Sequence, residues 1–348
     1  MSSIQQVVTG DGEFDTAGVE SYLASVGLAR GSAAYTTVAI MGPQSSGKST
    51  LLNTLFGTVF EELDAMTGRH QTTRGIWLAR SQTISEPISL VMDLEGSDGR
   101  ERGEDDTSFE RQSALFALSN ADVLLINMWA KDVGREAGSG KPLLKTILQV
   151  NLKLFGSQRL GAARASLPRT VLLFVFRDKT RTPLELLTQT WETDLQRIWD
   201  GVTKPAGLED ASLTDLFELK YAALSNYEDR PEEFQADCAA LRRRFTPAAS
   251  PAESLLRPHP EKLPGSALAL SLATAWDTIR ANRDLDLPAH RVMVATMRCE
   301  ELAARQLEAF READDWLALC AEAAEVGEAE EVEMEADAAL PAPPAPST

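Results

Sequence analysis

Short runs rich in Val, Ile, Leu and Phe alternate along the chain with longer segments whose apolar residues recur at three- and four-residue steps. By length and β-branched content the short runs read as buried strands, and the longer segments as helices with one buried face. Strands are expected at 36–41, 76–79, 88–93, 123–129, 171–176 and 219–224, and helices at 49–56, 107–118, 142–155, 183–199, 231–245 and 267–281. In the fourth helix Leu184, Leu187, Trp191, Leu195, Ile198 and Trp199 fall on one stripe, which is a core face and not a ligand face. Strands and helices that alternate in this way predict an α/β fold with a mostly parallel sheet flanked by helices.

The pattern also divides the chain. Residues 1–34 precede the first expected strand and read as an N-terminal extension, and 35–288 hold the alternating elements. A Pro-containing stretch, 246–264, reads as a surface loop. Helical periodicity returns at Val292–Leu319, so 289–325 is expected to start a helical stalk. From Val326 the composition turns to Glu, Ala and Pro, ending LPAPPAPST. Such a segment has too little apolar surface to offset chain entropy, so 326–348 is expected as a disordered acidic tail.

Composition sharpens the picture mainly by exclusion. Among 348 residues there are 52 acidic and 34 basic side chains, a net charge of -18. Residues 301–348 hold 13 acidic and 2 basic side chains and so contribute -11, leaving the rest only mildly acidic, at -7. Without a basic face, binding to nucleic acid is disfavoured. Cys238, Cys299 and Cys320, and equally His70, His259 and His290, are scattered, which argues against a disulfide framework or a histidine-based metal site. No secretion signal opens the chain and no apolar run reaches bilayer length, so the chain alone is expected to be cytosolic.

The chemistry concentrates after the first strand of the 35–288 segment. Gly42-Pro43-Gln44-Ser45-Ser46-Gly47-Lys48-Ser49 fits G-x-x-x-x-G-K-[ST] and lies between the strand TTVAIM and the helical run STLLNTLF, the strand-loop-helix setting that a phosphate-binding P-loop requires. Many backbone NH groups must approach a polyphosphate at once, and side chains at Gly42 and Gly47 would obstruct that approach. The following helix presents its positive end. Lys48 is expected to reach the outer phosphates and the Ser49 hydroxyl to ligate magnesium. The strand at 88–93 ends in Asp93-Leu94-Glu95-Gly96, which suits Asp93 to the magnesium shell and the Gly96 backbone NH to the terminal phosphate. Between helix and strand lies Arg69-His70-Gln71-Thr72-Thr73-Arg74-Gly75-Ile76. A threonine there, Thr73 or its neighbour Thr72, can complete the magnesium shell when the third phosphate is present.

Guanine offers two NH donors that one carboxylate accepts together, and adenine does not. No N-K-x-D string occurs, but Asp178 follows a later strand in Phe174-Val175-Phe176-Arg177-Asp178. At this point the strings MGPQSSGKSTLLNTLFGT, QTTRGIW, VMDLEGSDGRERGEDD, LLINMW, GKPLLKTILQVNLKLF and FVFRDKTRTP resemble the GTPase domain of the root-hair-defective-three proteins. These are plant and fungal counterparts of atlastin in the dynamin superfamily, related to guanylate-binding proteins. The resemblance runs from Thr36 to Arg305. It implies that Arg177 and Asp178 bind guanine, that Gly42 to Thr50 hold phosphate, that Ser49, Thr73 and Asp93 hold Mg2+, and that Leu224-Ser225-Asn226 caps the base through Ser225.

The chain departs from the atlastins in one respect: Ser45 stands where they carry a P-loop arginine. The missing charge is expected either from a switch arginine, with Arg69, Arg74, Arg100 and Arg102 as candidates, or from a monovalent cation near Ser45. The resemblance implies a GTP hydrolase that dimerises through its GTPase domains and draws endoplasmic reticulum membranes together for fusion. Contact with the membrane would come through segments that this chain lacks. The alternatives are a nucleotide-gated binding module with little turnover that regulates full-length partners, and a P-loop kinase of small molecules.

Overall fold

The computed structural model describes residues 3–28, 34–62, 73–94, 108–135, 141–160, 169–256 and 262–281, with further positions between 303 and 318. The chain divides into two units, Met1–Met293 and Val294–Thr348.

In the first unit seven strands form one sheet: β1 (Ile4–Val8), β2 (Tyr35–Met41), β3 (Ile76–Arg80), β4 (Ile88–Leu94), β5 (Val123–Trp129), β6 (Thr170–Arg177) and β7 (Phe217–Ala223), in the order β1-β3-β4-β2-β5-β6-β7. The pairs β2–β4, β2–β5, β5–β6 and β6–β7 are parallel, and β1–β3 and β3–β4 are antiparallel. The sheet is therefore mostly parallel, as expected, with an antiparallel edge. The helices are α1 (Thr16–Ser25), α2 (Lys48–Phe56), α3 (Ser108–Asn120), α4 (Lys141–Leu160), α5 (Leu184–Asp200), α6 (Leu213–Leu216), α7 (Pro231–Arg243) and α8 (Gly265–Arg280).

Each central strand is buried on both faces, so its alternate residues enter two separate cores. One core takes Ala39 and Met41 of β2, Leu90 and Met92 of β4, Leu124 and Ile126 of β5, and Leu172 and Phe174 of β6, packed under α1, α3, α4, α5 and α8. The other takes Val38 and Ile40, Val91, Val123 and Leu125, and Leu173 and Val175, packed under α2 and α7. The same alternation assigns Asp93, Asn127 and Arg177, at the carboxyl ends of β4, β5 and β6, to the α2/α7 face.

Local signals explain the helix ends. Pro231 opens α7 in its first turn, Glu232 and Glu233 follow, and Arg242 and Arg243 close it, an order that matches the helix dipole. Arg242 reaches across to α2, where its Nε donates to the Leu55 carbonyl (2.7 Å) and its guanidinium also meets the Thr54 carbonyl. These bonds satisfy carbonyls at the end of α2 that no intrahelical NH can reach. At the amino ends of the parallel strands, Asp122 accepts from the Thr37 backbone NH (2.6 Å) and pairs with Lys262, which lies 4.1 Å from the Tyr35 ring centroid.

Residues 1–34, expected as an extension, contribute more than a tail. Gln5 pairs with Leu78 and Gln6 with Trp77, so β1 extends the sheet beyond β3, and α1 buries Val19, Tyr22 and Leu23. In the second unit the described positions 305–311 are helical, and Phe310 and Trp316 touch with ring centroids 4.9 Å apart. Residues 326–348 lie outside the described residues. Among the described residues no helix is long and apolar enough to cross a membrane.

Candidate functional site

The loop from Gly42 to Gly47 joins the carboxyl end of β2 to the amino end of α2. Its backbone leaves the ordinary regions repeatedly: Gly42 has φ +154° and Gly47 φ +71°, and Ser45 is left-handed at φ +57°. The space is as restrictive as the torsions, since a Cβ on Gly42 would lie 2.4 Å from the Asn127 carbonyl oxygen of β5. Lys48 is buried, and its Nζ donates to the Pro43 carbonyl at 3.1 Å, folding back over the loop. The Ser46 hydroxyl donates to the same carbonyl at 2.7 Å.

Beside the loop three oxygen-bearing side chains converge. The Ser49 hydroxyl donates to Asp93 Oδ2 at 2.7 Å, the Thr73 hydroxyl to the same oxygen at 3.3 Å, and the two hydroxyls are 3.4 Å apart. Asp93 is 1% exposed, and its other oxygen, Oδ1, has no hydrogen-bond partner. Burial pushes the Asp93 carboxyl up from its ordinary value, against the opposing pull of Lys48, of the Ser49 and Thr73 hydroxyls and of the Leu94 backbone NH. An anionic oxygen that is buried and unpaired is expensive. Together with two hydroxyls, this donor set suits a hard divalent cation such as Mg2+. The residues present fit that ion.

On the other side of the loop, Asn127 Nδ2 donates to the Ser46 carbonyl (3.0 Å) and hydroxyl (2.9 Å). Arg177 Nη1 donates to the carbonyls of Ser46 (3.3 Å) and Gly47 (3.2 Å) and to Asn127 Oδ1 (3.3 Å). The guanidinium of Arg177 thus lies against the P-loop. Asp178 follows it, half-buried and left-handed at φ +56°. The Lys179 backbone NH bonds the Leu224 carbonyl at 3.0 Å, which brings the 224–226 turn beside Asp178. In that turn Ser225 is buried, and its hydroxyl donates to Asp237 at 2.7 Å.

A model of the root hair defective 3 GTP-binding protein (RHD3) GTPase domain matches residues 41–288. The chain belongs to the RHD3 GTPase domain family. It is 50% identical over 311 residues to Protein ROOT HAIR DEFECTIVE 3 homolog 1 of Arabidopsis thaliana, covering 89% of this chain and 38% of that protein. It is 49% identical to Protein ROOT HAIR DEFECTIVE 3 of Oryza sativa subsp. japonica, over 89% of this chain and 37% of that one. Identity to Protein SEY1 of Yarrowia lipolytica is 42%, over 88% of this chain and 33% of that one. The chain spans little more than a third of the length of these relatives.

In this RHD3-type GTPase domain the structure brings Gly42, Pro43, Gln44, Ser45, Ser46, Gly47, Lys48, Ser49, Thr73 and Asp93 together at the carboxyl ends of β2 and β4. Thr50, assigned to phosphate, spends its hydroxyl on Glu62 (2.7 Å). Arg74 is exposed, with its carbonyl held by the Gln6 side chain (3.1 Å) and the Trp77 indole (2.9 Å). Gly96, Arg69, Arg100, Arg102 and Thr72 lie outside the described residues, as do His70, His259, His290, Cys299 and Cys320. Cys238 is a buried free thiol on α7. Asn127 was missed by sequence reasoning. Its signal was there: one amide inside the apolar run LLINMW.

Proposed function

We propose that this domain binds GTP with Mg2+ in the Gly42–Ser49 loop and hydrolyses it, and that Asp178 selects guanine. In proteins of the relatives' full length, nucleotide-dependent pairing of such domains would tether endoplasmic reticulum membranes for fusion at their cytoplasmic face. The observation that carries the reading is the meeting of Lys48, Ser49, Thr73 and the buried Asp93 at one glycine-bounded loop.

The backbone NH groups of the loop and the amino end of α2 attract the phosphate oxygens. Lys48, which here bonds the Pro43 carbonyl, would turn from it to meet the outer phosphates. Ser49, Thr73 and Asp93 would hold the divalent ion, which supplies neutralisation of charge on the β- and γ-phosphate oxygens when bound. Thr73 follows a segment that connects α2 to β3 and lies beside Asp93, which supports reading it as the residue that would respond to the third phosphate. Asp178 accepts the two NH donors on the guanine edge, which adenine lacks. The positive charge that Ser45 does not supply would come either from a switch arginine, with Arg74 the candidate among the described residues and Arg69, Arg100 and Arg102 the others, or from a monovalent cation near Ser45. Pairing, fusion and the membrane address rest on family membership alone.

Steady release of phosphate from GTP but not ATP, dependent on Mg2+, is the expected result. Light scattering after size exclusion should show a dimer with a GDP-based transition-state mimic and a monomer with GDP. Equal turnover of ATP would overturn the base assignment, and a monomer in both states would overturn pairing.

A further inference from the structure

The pair Arg-Asp at 177–178 invites one role for both residues, yet the two side chains have different surroundings. Arg177 is 3% exposed, and its Nη1 makes all three of its described hydrogen bonds, to Ser46, Gly47 and Asn127. The Phe234 ring of α7 covers it, with the guanidinium carbon 5.4 Å from the ring centroid. A Cβ built on Gly47 would lie 3.4 Å from its Nη2, so the guanidinium is packed directly behind the loop. Asn127 completes the arrangement. Its Nδ2 holds Ser46 twice, its Oδ1 accepts from Arg177, and its backbone carbonyl abuts Gly42.

These contacts reach both ends of the P-loop, Gly42 and Gly47, from strands that are locked in the sheet. Register puts Asn127 opposite Val175, two residues from Arg177 on the same face, so the two side chains are diagonal neighbours. Arg177 also places a positive charge behind the loop, and the phosphates of a bound nucleotide would compensate it from the front.

We propose that Arg177 and Asn127 form a rear brace that holds residues 42–47 in their phosphate-binding shape, so that Arg177 is a positioning residue for phosphate while its neighbour Asp178 alone reads the base. The proposal rests on the reading of the loop as a nucleotide site and assigns separate tasks to two adjacent residues. It also links them mechanically, since a shift of Arg177 against the loop moves the turn that carries Asp178.

The test is calorimetric binding of GDP, IDP and ADP, each with Mg2+, to the full chain and to Arg177→Gln, Arg177→Lys and Asn127→Ala. IDP lacks the exocyclic amine of guanine, and ADP lacks both donors. A brace predicts that Arg177→Gln and Asn127→Ala weaken all three ligands by a common factor, about 10- to 100-fold for lost bonds to a charged group. The GDP:IDP and GDP:ADP ratios then stay within about twofold of wild type. Arg177→Lys keeps the charge and loses the fork, so it recovers part of the loss. Because both residues hold Ser46, the double variant Arg177→Gln/Asn127→Ala should lose less than the sum of the singles.

Selective loss of GDP with ADP unchanged would make Arg177 a base reader and overturn the proposal, as would wild-type binding by both single variants. If Arg177→Gln does not fold, by circular dichroism, Asn127→Ala carries the same comparison of ratios. Failure of the underlying reading looks different: wild type itself would bind none of the three nucleotides, or would bind GDP and ADP alike.

Discussion

Adding one methyl group to Gly42 is a sharp test of how the P-loop is held. The Cβ of Gly42→Ala would sit 2.4 Å from the Asn127 carbonyl oxygen and 3.2 Å from the Asn127 Cβ. A Cβ needs at least 3.0 Å, so the two backbones must part by about 0.6 Å, and by about 1.0 Å to reach an ordinary contact of 3.4 Å. Strand β5 cannot yield, because β2 and β6 pair with it on both sides. The loop therefore moves, away from Asn127 and the bonds that hold Ser46. Overpacking of this kind costs about 1–3 kcal/mol, which, where binding must restore the seated loop, is about 10- to 100-fold in affinity.

Gly47→Ala is the comparison: the nearest atoms its Cβ would meet are those of the Arg177 guanidinium, an ordinary contact at 3.4 Å and beyond, so the structure gives this position a torsional cost in place of the obstruction that the motif suggested for both glycines. It bears the left-handed φ of +71°, worth about 1 kcal/mol. Thermal unfolding with and without GDP and Mg2+, together with titration of a fluorescent GDP, separates the two. Gly42→Ala should lose about 10- to 100-fold in affinity and most of the ligand-induced rise in Tm, while Gly47→Ala should lose markedly less. Wild-type affinity in Gly42→Ala would refute the reasoning, since the loop would then not depend on its seat against β5.

Replacing Asp93 with Asn should stabilise the ligand-free protein by about 1–2 kcal/mol, because a buried charge is removed while the shape is kept. The same variant should lose the extra stability that Mg2+ confers on the GDP complex; urea unfolding with and without Mg2+ reads both effects. Lys141 Nζ pairs with Asp194 at 2.8 Å, and both side chains are under 10% exposed, so Lys141→Met should cost about 3 kcal/mol by leaving the buried carboxylate to the Gly134 NH (3.2 Å) and the exposed Arg197 (3.7 Å) alone. Lys141→Met/Asp194→Leu should recover most of that loss in the same denaturant titration. Burial pushes the Cys238 thiol up to about 12 from 9.0. Its contribution is complete below pH 9 and is lost as pH rises towards 12, because the unfolded thiol ionises first. The stability gap between wild type and Cys238→Ala should therefore close by up to about 1.4 kcal/mol per pH unit above pH 9, and a gap independent of pH would contradict this.

Much of the site was legible because its residues combine a motif with a period. The loop at 42–49 sits between a seven-residue buried strand and an amphipathic helix, and Asp93 ends a strand whose alternation puts it on the α2 face. Applied further, the same alternation would have turned Arg177 to the face of the sheet that carries α2 and α7. Leu173 and Val175 belong to the α2/α7 core, so Arg177, two residues on, points towards the loop. The resemblance grouped Arg177 with Asp178 and obscured that parity. Asn127 escaped because an isolated amide in an apolar strand looks like a tolerated exception until Gly42 and Ser46 are seen to converge on it.

The elements that sequence reading missed, helix α1 among them with only Val19, Tyr22 and Leu23 buried, are those with weak patterns. Strand β1 is the five-residue IQQVV at a sheet edge, too short and too polar to show a buried period. Helix α6 has four residues and is defined by its capping box, Ser212 with Asp215, a local exchange of hydrogen bonds and not a hydrophobic face. Register between strands was not readable either, since it depends on which runs become neighbours across long connections.

The claim on which the rest depends is that Asp178 reads guanine while the Gly42–Ser49 loop holds the phosphates. Competitive binding of GTP and xanthosine triphosphate to wild type and Asp178→Asn tests it directly, because xanthine carries an oxygen where guanine carries the amine, and Asn can donate where Asp only accepts. The expected result is a reversal, with wild type preferring GTP and Asp178→Asn preferring xanthosine triphosphate. An unchanged preference for GTP in the variant would contradict it.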